Sequence, residues 1–352
     1  MSPQDLFHTP HAGERGGGDL PGGSMPAWQV GAPGEPADVL KLVQVPVPEP
    51  RPGQVLLRVS YAALNFPDVL MARGQYQVRP PLPFTSGVEL CGEIVALGPE
   101  VDGSRIGERV MGMASPPYGS LARYAIADDA DVATAPPRLH DDEAACFYLT
   151  YQTGWFGLFR RAGLRVGETL VVFAAGGGAG SAAVQIGKVA GARVVAVVGS
   201  REKAAAIHGL GADLVVDRSS QDVVAAVKQF TDGRGADVVY DPVGGPAFRA
   251  ATKMIAFEGR IVVVGFTSGE FPQAAANHIL IKNYSVIGLH WGLYRHQNPA
   301  LVEQARDELS RFVSAGVLRP LIGEHVAFGD VPDALTRLGA GSTVGRLVVA
   351  TA

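Results

Sequence analysis

Apolar and polar positions follow two rhythms along the 352-residue chain. Up to about residue 137, short β-rich runs cover 39–47, 54–64, 87–97, 108–113 and 120–126, separated by Pro or Gly turns, and Met25 opens a further strand-like segment. This spacing predicts a compact, irregular β-barrel. The pattern turns helical over 141–162, opening on Asp141, Asp142 and Glu143, carboxylates suited to the positive end of a helix. From residue 170 to about 289, the apolar runs LVVF, ARVVAVV, DLVV, DVVYD, RIVVVG and YSVIGL alternate with helical stretches, as in an open parallel sheet covered on both faces. The tail predicts a helix over 299–315, a strand near His325, an amphipathic helix over 331–338 and a last strand over 346–350 that returns to complete the first domain. The expected fold class is α/β, a doubly wound parallel sheet beside a discontinuous β-barrel domain.

Composition narrows the class. With 47% hydrophobic and 18% charged residues, the chain has the make-up of an ordinary soluble enzyme, long enough for two cores. Only Cys91 and Cys146 are present, which excludes a disulfide framework or a four-cysteine zinc lobe and suggests a reducing cytoplasm. A net charge of −4 gives no reason to expect nucleic acid or an anionic membrane as partner. The uncharged stretch 170–187 approaches the length of a membrane span, but its glycines and Gln185 fit strand, turn and helix better. Residues 1–24 are rich in Gly, Pro and polar groups and lack a secretion-signal core, so a disordered extension is expected there, with a later translation start or an appended leader as its origin.

The stretch 170–199, LVVFAAGGGAGSAAVQIGKVAGARVVAVVG, carries the chemistry. An apolar strand, a glycine turn, a small-residue helix and a second strand follow in the order of a dinucleotide-binding βαβ unit. Gly177 and Gly180 take the second and third places of a G-x-G-x-x-G pattern whose first place is Ala175, with Gly178 and Ala179 between them, so the helix amides face a diphosphate. At the end of the second strand, where a carboxylate would select NAD, the chain reads Ser200, Arg201, Glu202, Lys203. A hydroxyl followed by cations suits a 2′-phosphate, and Arg218 after the third strand would add a third cation, so NADPH is favoured. The alternative is that Arg201 and Lys203 merely start a solvated helix, and a Glu202 turned inward would weaken the preference.

Taken together, the motifs resemble the medium-chain dehydrogenase/reductase superfamily, in its zinc-free quinone oxidoreductase (zeta-crystallin-like) branch. The resemblance rests on Asn65-x-x-Asp68, Arg73-Gly-Gln-Tyr76, Gly87-x-Glu89-x-x-Gly92, the glycine turn, Asp241 to Gly245, Val264-Gly265-Phe266 and Gly345-Arg346. It implies a Rossmann-type domain over 148–289 and a GroES-like catalytic domain over 25–147 and 290–352. Two departures are Ala179, where a valine is usual, and Arg218, where some relatives carry a tyrosine. In zinc-dependent members a cysteine ligand stands where this chain has Asn65, and neither cysteine has a histidine at ligand spacing, so no metal is expected.

The activity implied by the resemblance is hydride transfer from NADPH to an activated acceptor, a quinone or an alkene conjugated to a carbonyl. Asn65 would sit beside the nicotinamide, or else form an Asx-turn before Pro67. Asp68 would hold backbone or Arg73, and Tyr76 would donate a proton or a hydrogen bond to the acceptor, or form a cleft wall. Tyr151 and Thr153 would face the cofactor, Gly244 would pass the adenine-side ribose, and Val264, Gly265, Phe266, Leu289 and Arg346 would complete its site. His290 is not assigned as the acid; Trp291 and Tyr294 would line an aromatic pocket or support a subunit contact. The small-molecule acceptor and a second copy of the chain, in a homodimer, are the expected partners. The alternatives are an enoyl-thioester or enal reductase and a catalytically weak NADPH-binding regulatory protein.

Overall fold

The computed structural model describes residues 22–351. Most of the expected N-terminal extension lies outside the described residues, and its last member, Ser24, instead opens the strand Ser24–Val30. That strand pairs antiparallel with Leu40–Pro46 and with the short strand Phe84–Thr85. A second sheet orders its strands as Ile322–Val326, Arg346–Ala350, Gln54–Leu64, Glu89–Leu97, Arg109–Met113 and Val132–Thr134, with Tyr124–Asp128 also paired to Gln54–Leu64. Bulges between Leu56 and Leu57 and between Val59 and Tyr61 interrupt its longest ladder, the kind of irregularity that bends a sheet toward closure. Arg346–Ala350 lies antiparallel to Gln54–Leu64, so the chain end completes the first β unit.

The other half is a six-stranded sheet, parallel throughout, in the order Leu214–Asp217, Arg193–Val198, Thr169–Val172, Ala236–Asp241, Ile255–Val263, Ser285–Gly288. The order reverses direction between Thr169–Val172 and Ala236–Asp241. Ligands of such sheets bind at the carboxyl ends of the strands flanking this switch, and here those ends carry the glycine turn and the DPVGG turn. Each central strand is apolar on both faces because helices cover both: Leu170, Val171, Val172, Val194, Val195 and Val238 are fully buried.

The helical stretch expected over 141–162 is divided into Asp141–Ala145, Tyr148–Trp155 and a π turn, Phe156–Arg161. The ring of Tyr240 lies so close to Gly157 that a Cβ there would meet it at 2.9 Å, a contact local periodicity does not reveal. One apolar core runs through both halves, joining Ala63, Met111 and Val348 to Leu170, Ala183 and Leu309. Among the described residues no helix is long and apolar enough to cross a membrane.

Candidate active site

Thr169–Val172 ends in a tight reversal in which Ala174 takes a left-handed φ of +50° and the Gly177 N–H closes on the Ala174 carbonyl at 2.9 Å. Ala175, in the place of the first glycine, is fully buried and donates its N–H to Val197. The helix Gly178–Val189 follows, with Gly177 extended as its N-cap and no side chain capping it. The first-turn amides of Gly178, Ala179 and Gly180 therefore have no intrahelical partner. At Gly180 a Cβ would stand 2.2 Å from the Ala174 carbonyl oxygen, so only glycine lets the helix seat flush on the turn.

Arg346 lies beside this helix start. A Cβ at Gly178 would come within 2.5 Å of its Cδ, and its buried Nε has no partner among the described residues. Free amides and an orphaned guanidinium N–H packed on Gly178 are the donor set a diphosphate takes. The residues present fit that group.

At the end of Arg193–Val198, Ser200 caps the helix Arg201–Ala206 by accepting the Lys203 N–H at 3.3 Å. The Lys203 side chain lies against Gly176 and the Arg218 guanidinium against Gly199. Burial lowers the Lys203 pKa and the neighbouring Arg218 charge lowers it further, so two cations share this corner. Arg201 and Glu202 are exposed on the helix start. Lys203 Nζ also donates to the Gly341 carbonyl at 2.5 Å, and the Gly345 N–H donates to Gly176, joining the cofactor turn to the C-terminal segment.

Asn65 caps the helix Phe66–Ala72, and its backbone N–H donates to Asp68 Oδ2 at 2.8 Å. Its own amide forms no Asx-turn. Nδ2 donates to the Ala63 carbonyl and to Glu89 Oε2, and Oδ1 accepts from Arg346 Nη1 at 2.8 Å. Glu89, wholly buried, also accepts from Arg346 Nη2 at 2.5 Å and from the Leu149 N–H at 2.8 Å. Burial raises the Glu89 carboxyl above the ordinary range, and the three donors converging on it, Arg346 foremost, oppose that rise. Burial opposes the charge on Arg346, but Glu89 keeps it protonated, above the ordinary guanidinium range. From the sequence Glu89 is no more than a motif member; an acid inside the apolar run VELCGEIVAL is the signal that marks it.

Asp68 is also fully buried; burial pushes its carboxyl up to about 7, and its Oδ1 has no partner among the described residues. The expected hold on Arg73 is corrected: Arg73 pairs with Glu35 at 2.8 Å instead. Tyr76 is half-buried against a separate apolar cluster that includes Val69, Ala72 and Leu335; burial raises its hydroxyl pKa, Asp68 raises it further and Arg295 lowers it.

Thr153 is half-buried, and its Oγ1 donates back to the Leu149 carbonyl at 2.7 Å. Tyr151 does not face the cofactor: it is buried, stacked on Phe147 at 4.2 Å and accepts from Gln185. Gly244, with φ of +72°, starts the helix Gly245–Met254 and donates its N–H to Asp241. Val264, Gly265 and Phe266 follow Ile255–Val263, with the Val264 N–H on the Asp241 carbonyl and Phe266 against the exposed Phe271 at 4.9 Å. Leu289 buries its side chain and gives its N–H to Val263. The aromatic pocket expected of Trp291 and Tyr294 is corrected, because Trp291 packs inward on Tyr148 and Tyr294 on Phe156. His290 is exposed.

The family description "Alcohol dehydrogenase GroES-like domain" matches residues 51–137 and "Zinc-binding dehydrogenase" matches 178–307. A quinone oxidoreductase-like protein 2 homolog of Nematostella vectensis is 34% identical over 300 residues, covering 85% of this chain and 82% of its own. The chain belongs to the medium-chain dehydrogenase/reductase superfamily. Within it the likeness is to the quinone oxidoreductase-like branch. A quinone oxidoreductase structure from Pseudomonas syringae superposes with a TM-score of 0.84 at 30% identity, covering 93% of this chain and 99% of that one. A mycobacterial structure described as complexed with NADPH superposes at 0.86 with 28% identity, covering 93% and 100%. The zinc named by one family description does not fit the donors present: the Asn65 amide is committed to Ala63, Glu89 and Arg346, and among the described residues no three His, Cys, Asp or Glu side chains converge to hold a metal.

Proposed function

We propose that the chain is an NADPH-dependent reductase of a quinone or another acceptor conjugated to a carbonyl, acting without a metal in a reducing compartment. The observation that carries this reading is the buried Asn65–Glu89–Arg346 network seated against Gly178. It puts an amide and an already paired acid where a catalytic metal would need open ligands. When bound, the cofactor supplies the hydride. The amides of Gly178, Ala179 and Gly180 and the Arg346 guanidinium hold the diphosphate; Ser200, Lys203 and Arg218 hold the 2′-phosphate. Gly244, Val264, Gly265 and Phe266 support the adenine-side ribose and the face of the crevice, and Thr153 with the Leu289 backbone orients the nicotinamide. Asn65 holds the corner in shape. Tyr76, kept protonated by burial and by Asp68, presents a proton to the oxygen that gains charge. The division into a catalytic part, 25–147 with 290–352, and a cofactor part, 148–289, and assembly as a homodimer belong to the same proposal.

An acceptor panel run with each cofactor tests it. Oxidation of NADPH by 1,4-naphthoquinone and by enals is expected, with kcat/KM for NADPH exceeding that for NADH on the order of tenfold or more. Turnover with crotonyl thioester alone would replace the quinone reading by an enoyl reductase, and tight NADPH binding without oxidation by any acceptor would leave a binding protein. Stoichiometric zinc in the purified protein would overturn the metal-free route.

A further inference from the structure

Asn65, Asp68, Glu89 and Arg346 are buried together and bring two carboxyls to one guanidinium. Hydrogen bonds make them one chain from the cofactor turn to the helix Phe66–Ala72. Arg346 packs on Gly178 and donates to Glu89 and to the Asn65 side chain, while the Asn65 backbone N–H donates to Asp68 Oδ2. The two acids are not equivalent. Glu89 accepts from Arg346, Asn65 and the Leu149 N–H, whereas Asp68 accepts from Asn65 alone and its buried Oδ1 has no partner among the described residues. An ionised carboxylate with one donor and no cation of its own is costly inside a protein, so a proton held by this cluster sits on Asp68. Burial accordingly pushes that carboxyl up to about 7. The neighbouring elements supply no compensating charge. Arg73 of the same helix turns to Glu35, and Asp38, Asp333 and Arg337 on the adjoining helices Pro36–Val39 and Val331–Gly339 are exposed. Burial keeps Cys146 a thiol, pushed up to about 12, and Tyr76 a phenol.

We propose that Asp68 is a positioning residue that takes up a proton as the cofactor's diphosphate binds, leaving Arg346 to serve Glu89 and the diphosphate together. The proposal rests on the cofactor-binding part of the function above and adds to it a proton that hydride transfer does not consume. The first-turn amides of Gly178, Ala179 and Gly180 and the free Nε–H of Arg346 hold the diphosphate. Its negative charge then draws on a guanidinium already paired with Glu89, where water is excluded and screening is weak. A second ionised carboxyl in the same hydrogen-bonded chain is disfavoured there, and the neutral acid is the form that fits. The one hydrogen bond of Asp68 is to Asn65, so its influence reaches the cofactor turn through Asn65 and Arg346. Because binding takes up a proton, affinity is constant while free Asp68 is already neutral and falls as pH rises through the range in which it ionises.

The test is calorimetric titration of the full chain with ADP-ribose, which carries the diphosphate without the nicotinamide and without a 2′-phosphate, a group that itself titrates at about pH 6. Each titration is run in two buffers of different ionisation enthalpy, at about pH 6 and about pH 8.5, on either side of the carboxyl. The native protein is expected to bind on the order of tenfold more weakly at the higher pH, with net proton uptake there and none at the lower. Asp68→Asn keeps an oxygen for the Asn65 N–H but is neutral throughout; it should bind alike at both pH values and exchange no proton with the buffer. A residue that only capped its helix would leave both readouts unmoved. Native affinity that is flat over this range, or a pH dependence that survives in Asp68→Asn, overturns the role of Asp68 and leaves the cofactor site. Should the variant not fold, the proton count of the native protein decides: release, or no exchange, at the higher pH overturns the proposal. Absence of ADP-ribose binding at both pH values removes the diphosphate site and the proposal with it.

Discussion

Ser200 joins a structural duty to a selective one. Its hydroxyl caps a helix whose third residue, Lys203, contributes the ammonium that shares a corner with Arg218. Aspartate is as good an N-cap as serine, so Ser200→Asp should leave the helix intact while setting a carboxylate against an incoming 2′-phosphate. NADPH affinity is expected to fall by about 2 kcal/mol, roughly 30-fold, with NADH changed less than about threefold, read by fluorescence titration of each cofactor. An equal loss for both would place the 2′-phosphate elsewhere. This corner was legible in the sequence because the end of a second βαβ strand falls a fixed distance beyond the glycine turn. The bond from Lys203 to the Gly341 carbonyl was not, since it spans 138 positions of chain. Nor was the preference of Arg73 for Glu35, a choice among carboxylates that only packing settles.

At the level of elements, the glycine turn couples fold and chemistry most tightly. Gly180→Ala would drive a Cβ to 2.2 Å from a backbone oxygen that cannot rotate away, so the helix Gly178–Val189 must lift from the strand. The expected cost is on the order of 1–3 kcal/mol in denaturant unfolding, with NADPH and NADH weakened alike because both lose the same amides. Retained affinity for both in a stable variant would disconnect this turn from the cofactor. The strands of the parallel sheet were readable because each is an apolar run bounded by turn residues, with Ile255–Val263 longer than RIVVVG suggests because Ile255, Ala256 and Phe257 join it before Glu258. The helix Phe66–Ala72 was hidden by Pro67, which reads as a turn although proline is well suited to a first helical turn. Likewise the π turn after Trp155 depends on Tyr240 and Leu289 closing on Gly157, contacts with no local signature.

For the whole molecule, the return of Arg346–Ala350 to the first sheet brings Arg346 to Asn65 and Glu89, so the candidate centre forms only when both ends of the chain are in place. The last strand, a short continuous apolar run after Arg346, made that closure legible; the partners of its arginine were not, being set by separate elements. The outer edge of the parallel sheet poses a different problem. Ser285–Gly288 is the outer strand of the parallel sheet, and beside it Leu280 and Ile281 are 76% and 77% exposed, with Phe257 at 70%. Glu258 donates its N–H to Asn283, which gathers these side chains at one edge. An unpaired strand edge flanked by large apolar side chains is unfavourable in water and is relieved when a second copy pairs with it about a two-fold axis. Sedimentation of the native protein should therefore give twice the chain mass of 36.8 kDa, and Leu280→Glu with Ile281→Glu should halve it without loss of fold, because neither side chain is buried within one protomer. A native protein that sediments at the chain mass at micromolar concentration, or a variant that stays at twice that mass, would show that this edge is not where copies meet.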